Sequence, residues 1–175
     1  MRAIASAPSS ATIRARLSKM LRSLQLNNAE VSVVLTDDKE IQQLNRDYRG
    51  INRATDVLSF SMREGVGADV AGETLGDLVV SLQRARAQAR AGRRSLRDET
   101  TLLLAHGLLH LLGWDHRTKT EDRRMRVKCD ELCVIAGGLP LFSMGGVDDN
   151  GRVTPIKSAS RVVTATRKKK SVREK

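Results

Sequence analysis

The chain has 175 residues and a formal net charge of +11, from 31 Lys and Arg against 20 Asp and Glu. That length supports one domain with its own core, and with 40% hydrophobic but only 2% aromatic residues the core must be aliphatic. Two cysteines exclude a disulfide framework, no apolar run approaches the ~20 residues of a membrane span, and four aromatics are too few for an RNA-stacking platform.

The charge is unevenly placed. Between Arg152 and Lys175 nine basic residues face a single acid, Glu174, so this segment carries +8 and leaves +3 for the rest. The expected division is a folded domain over residues 1–143 and a basic, disordered tail over 144–175. Residues 1–29 hold no acid and several Arg and Ser, which is the composition of an organellar transit peptide. Against that, Ile13, Leu17, Met20, Leu21 and Leu24 recur at helical spacing and predict a core-facing helix over about 10–26. The expected location is cytoplasmic.

Val31 to Leu35 is a short β-branched run and predicts a strand. Asp37 with Glu40 three residues later has the form of a capping box. Ile41, Leu44 and Tyr48 then continue a helix to Gly50. Asp56 to Met62 alternates at strand period, with Leu58, Phe60 and Met62 on one side and Val57, Ser59 and Ser61 on the other. Arg63 to Gly72 contains three glycines and predicts a mobile loop. Leu75 to Leu82 predicts a further strand, and 82–91 an Arg- and Ala-rich helix. Ser95 and Asp98 open the next helix, which is apolar nearly all round from Leu102 to Leu112 and so is expected to be buried. A last helix over about 120–136 places Met125, Cys129, Leu132, Cys133 and Ala136 on one face, and the two cysteines read as small buried hydrophobes. The expected class is α+β: one small mixed sheet with surrounding helices and a central buried helix.

All three histidines lie in that central helix and the turn after it, in His106-Gly107-Leu108-Leu109-His110-Leu111-Leu112-Gly113-Trp114-Asp115-His116. At 100° per residue, positions 106 and 110 share one helix face. Gly113 accepts a left-handed conformation and lets the chain return His116 toward them. Two imidazoles on a leucine-rich helix are costly to bury without partners. Three imidazoles with one open position form a catalytic zinc arrangement, in which bound zinc brings the pKa of its water to about 7. Nickel and copper also suit imidazole ligands. The same spacing occurs in the extended metallopeptidase motif, but that motif has its general base directly after the first His, where this chain has Gly107.

The segment His106–His116 strongly resembles the signature of the YbeY family. Leu44-Asn45-Arg46-Asp47-Tyr48-Arg49 is similar to that family's LNxxYR element, and Thr55 to Phe60 and Gly76 to Ser81 are similar to its two following strands. Met125 fits as well, while Ala54 stands where the family usually has Pro. The similarity covers about residues 30–137. It implies an α+β fold with a metal held by His106, His110 and His116, and a functional arginine at Arg49. It also implies a single-strand-specific, metal-dependent endoribonuclease of late ribosome maturation, acting on the 3′ end of small-subunit (16S) rRNA. The implied partners are ribosomal RNA and small-subunit precursors. Arg49 suits such a role because a guanidinium fork pairs bidentately with phosphoryl oxygens. By spacing alone Arg49 reads equally as a charge at a helix end. The competing functions are a non-catalytic ribosome assembly factor with a structural metal, and a metallopeptidase. Asp115 has two readings, orienting a histidine ring or capping the turn. Trp114 and Tyr48 suit either packing or base stacking. The arginines at 84, 86, 90, 93, 94 and 97 read as a solvated helix face or as a track for phosphates.

Overall fold

A computed structural model describes residues 7–63, 72–140, 146–147 and 153–154. Helix α1 spans Ser10–Ser23, with the Ser9 hydroxyl accepting from the Thr12 N–H at its start. It ends three residues before the expected boundary, and Gln25 takes the left-handed conformation (φ 60°) that turns the chain into the first strand. Ile13, Leu17 and Met20 are buried against the main core, so the helical part of the acid-free segment belongs to the fold.

Strand β1 (Glu30–Thr36) leads into α2 (Asp38–Arg49). Asp37 caps α2 through the Glu40 N–H, but Glu40 does not complete a capping box: its carboxylate takes the Thr36 hydroxyl instead. Strands β2 (Val57–Ser61) and β3 (Thr74–Ser81) follow. The sheet has the order β1-β3-β2, with β1 parallel and β2 antiparallel to β3, so it is the expected mixed sheet. The glycine-containing loop expected over 63–72 lies almost entirely outside the described residues.

Both faces of the sheet are covered. Leu58 and Val79 pack with Ile41 under α2, while Val57, Leu78 and Val80 join the larger core. On β2 the face toward the buried helix carries serines. The Ser59 hydroxyl donates to the Gly107 carbonyl and the Ser61 hydroxyl to that of Leu111. Small polar side chains therefore let a helix lie close on the strand while satisfying its carbonyls.

Helix α3 (Leu82–Ala91) returns along the sheet, and a short turn leads to α4 (Leu96–Leu111). In α4 every residue but Arg97, Asp98 and His106 is buried, as the all-round apolar pattern requires. Gly107 makes this possible: a Cβ there would lie 2.8 Å from the Leu78 side chain and 3.2 Å from the Ser59 hydroxyl. Helix α5 (Lys119–Ile135) opens on a full capping box between Thr118 and Glu121. It packs Met125, Cys129, Leu132 and Cys133 into the core. Full burial of Met125 or Leu132 contributes roughly 1.5–3 kcal/mol. The dipeptides Gly146–Val147 (β4) and Val153–Thr154 (β5) pair antiparallel, and the rest of the expected tail lies outside the described residues. Among the described residues no helix is long and apolar enough to cross a membrane.

Candidate metal centre

The centre is built at the C-terminal end of α4. His106 and His110 stand one turn apart, with ring centroids 4.8 Å from each other. Helix α4 closes in a Schellman arrangement: the Gly113 N–H donates to the His110 carbonyl and the Trp114 N–H to that of Leu109. Gly113 holds φ +81°, the left-handed conformation expected of it. This turn brings the His116 ring to 5.8 Å from His106 and 5.3 Å from His110, centroid to centroid. One ligand atom from each histidine lies within 4.8 Å of the others.

Asp115 stabilises the turn. Its carboxylate accepts from the His116 backbone N–H at 2.7 Å and pairs with Arg117, so it caps the backbone of the third histidine rather than a ring nitrogen. Those bonds hold its carboxyl below the ordinary range. Trp114 packs on the edge of the core, which is its structural reading.

The electrostatics favour neutral rings. Burial first, then the neighbouring His110 and His116, push His106 down to about 3. Burial, then His116, push His110 down to about 4. Both rings are therefore uncharged at neutral pH and keep a nitrogen lone pair available. His110 is 1% exposed, yet neither of its ring nitrogens has a partner at ordinary hydrogen-bond geometry, and the nearby Trp114 backbone only partly opposes the downward shift. A buried imidazole with both nitrogens unsatisfied is costly, and a cation between three such rings removes that cost. The donor set fits a metal ion, with zinc, nickel and copper all suited to it.

Arg49 ends α2 immediately before Gly50, whose φ of 72° terminates the helix. Its three guanidinium nitrogens are hidden from solvent and have no partner among the described residues. Burial lowers its pKa to about 10, so it remains charged, and its charge contributes to holding His110 neutral. Asn45 fixes the chain after this helix end, donating from its side chain to the Arg53 carbonyl while its backbone carbonyl accepts from Ile51. Among the arginines named in the sequence analysis, Arg49 is the one whose charge acts on His110.

Cys129, assigned only a packing role from sequence, sits with its sulfur 3.8 Å from His106 Nδ1. Burial drives the Cys129 thiol well above its ordinary pKa and that of Cys133 up to about 12, so both are neutral thiols. Arg126 also acts on His106 through its charge. Neither contact has a spacing signature, since α5 reaches α4 only through tertiary packing.

Residues 2–135 match the sequence profile of the family described as endoribonuclease YbeY. The chain belongs to that family. Among its relatives, the endoribonuclease YbeY of Symbiobacterium thermophilum is 48% identical over 63% of this chain and 74% of its own. The Syntrophus aciditrophicus member is 39% identical over 74% and 82%. The solution structure of TM1509 from Thermotoga maritima superposes with a TM-score of 0.54 at 25% identity, covering 75% of this chain and 85% of that one.

Proposed function

We propose that this chain is a metal-dependent endoribonuclease specific for single-stranded RNA, which processes the 3′ end of 16S rRNA in small-subunit precursors during late ribosome maturation. Family membership supports the nuclease activity. The observation that carries the metal dependence is the pair of unpartnered nitrogens on buried His110, set among two further imidazoles.

In this reading His106, His110 and His116 hold one ion, zinc by expectation. When bound, such an ion supplies Lewis acidity at neutral pH. Cys129 turns Nδ1 of His106 toward α5, which leaves Nε2 for the ion. Arg49 is the substrate-facing cation. A phosphodiester under displacement gathers negative charge on its non-bridging oxygens, and a desolvated guanidinium stabilises that charge more strongly than a solvated one. Because its nitrogens make no internal bonds, Arg49 gives up no partner on meeting phosphate, once a movement of the surrounding side chains uncovers its solvent-hidden guanidinium.

Gly107 weighs against a peptidase. It occupies the position of the peptidase general base, and a side chain there would have to displace the Leu78 methyl that approaches to 2.8 Å.

The test is incubation of the full chain with small-subunit precursors, followed by mapping of the RNA ends. The reading expects trimming confined to the 3′ end of 16S rRNA, abolished by His110→Ala. Intact binding to the precursors with no cut by the metal-loaded wild type would instead support an assembly factor.

A further inference from the structure

The stretch from Leu78 to Arg97 contains six arginines and no acid. Two of the six are engaged: Arg84 pairs with Asp38 at 3.3 Å, and Arg94 pairs with buried Glu99. The side chains of Arg86, Arg90, Arg93 and Arg97 have no ion-pair or hydrogen-bond partner among the described residues. Arg90, Arg93 and Arg97 are exposed and Arg86 is half-buried.

These four charges do not serve the fold. Arg86 and Arg90 are like charges four apart on α3, a destabilising pair. Arg97 lies in the first turn of α4, the positive end of its dipole, where Asp98 and Glu99 are the favourable residues. Arg93 is a non-glycine residue at φ 52°. A cluster that costs stability at several points and has no internal counter-charge is balanced by an external polyanion.

Its position bears on which polyanion. The turn between α3 and α4 sits at the N-terminal end of α4, and His106 and His110 sit in the last turns of the same helix. Nine residues separate Arg97 from His106, which is about 14 Å along the axis. The same nine residues place Arg97 half a turn around the axis from His106, so the arginines and the metal centre face different sides of α4, and only an RNA longer than the metal centre itself can reach both.

We infer that Arg86, Arg90, Arg93 and Arg97 form a second RNA-binding surface. It contacts the phosphate backbone remote from the cleavage position and without regard to sequence. The inference rests on the RNA substrate proposed above. Long RNA gains affinity from this surface, while RNA confined to the metal centre does not.

The experiment compares the full wild-type chain with R86Q/R90Q/R93Q/R97Q and with the corresponding four-lysine variant. Binding of a labelled single-stranded RNA of about 30 nucleotides is titrated across salt concentrations, and cleavage of an RNA of about 4 nucleotides is followed on the same samples. Each lost phosphate contact flattens the log K against log salt slope by about 0.7, so the glutamine variant is expected to flatten it by up to about 3 and to bind at least about tenfold more weakly at low salt. Cleavage of the short RNA stays at the wild-type rate, and the lysine variant retains the wild-type slope. The basic residues beyond 152 are the same in all three proteins and cancel. An unchanged slope in the glutamine variant, or a lysine variant that flattens equally, overturns the surface. A wild type that cuts neither RNA but shows the slope difference sinks the nuclease reading and leaves the surface standing.

Discussion

The two ends of α4 lie at the same depth but differ in how their polar groups are satisfied. At the N-terminal end Glu99, Thr100 and Thr101 are 1–2% exposed, and each has a partner. Glu99 pairs with Arg94, Thr100 donates to the Leu96 carbonyl, and Thr101 donates to the Arg97 carbonyl while accepting from buried Arg16. At the C-terminal end His110 is 1% exposed and has a partner at neither nitrogen, and Arg49 beside it is likewise unmatched. Buried polar groups with full complements hold a fold together, whereas buried groups left open are kept for something that arrives later.

Breaking the satisfied end gives the largest stability effect. Arg94→Ala strands a buried carboxylate and is expected to cost about 3–5 kcal/mol in urea unfolding, with the metal stoichiometry of the folded fraction unchanged. Burial already raises the Glu99 carboxyl above its ordinary range, even with Arg94 opposing. A carboxyl raised in the folded state favours folding fully below its unfolded pKa and loses that contribution as pH rises through the folded value. The variant is therefore expected to regain stability as pH is lowered from neutral toward the ordinary carboxylate range, and by more than the wild type does.

Breaking the open end shifts function instead. Arg49→Ala is expected to slow RNA cleavage about 10²–10³-fold, equivalent to about 2.7–4 kcal/mol in the transition state. Its unfolding free energy stays at or above the wild-type value, because the substitution removes an unpartnered buried charge. A stability loss as large as that of Arg94→Ala would erase the contrast between the two ends.

Cys129→Ala sharpens the comparison on the ligand side. Removing the group against His106 Nδ1 is expected to weaken metal binding about 10–100-fold in competition with a chromophoric chelator. Cys129→Ser, which keeps an acceptor, restores most of it; equal losses in both variants would assign the cysteine to packing alone. The smallest effect belongs to the turn. Gly113→Ala forces a Cβ into the left-handed conformation and is expected to cost about 1–2 kcal/mol in thermal or urea unfolding.

The three-histidine cluster was legible in the sequence because its members are local. Helical spacing aligns His106 with His110, and one glycine in the left-handed region returns His116, so eleven consecutive residues define the site. Arg49 was different. Its position at a helix end gave no direction by spacing, and only the family resemblance singled it out, since the approach to His110 depends on how α2 packs over the sheet. The same holds for Cys129, whose contact with His106 exists only once α5 lies on α4. Gly107 was read as a missing base, and the close approach of Leu78 supplies the reason for its absence. In β2 the alternation was visible, yet the serine side faces α4 because that helix presents carbonyls as well as leucines. Pattern reveals period and local geometry, but cross-element satisfaction has to be seen in three dimensions.

The most direct test of the account measures metal content and cleavage of single-stranded RNA on one preparation, wild type beside His110→Ala, with and without chelator. The account predicts about one ion per chain and chelator-sensitive cleavage in the wild type, with both lost in a variant that remains folded. Wild-type cleavage that survives complete removal of the metal, or a His110→Ala variant that cuts RNA at the wild-type rate, would contradict it.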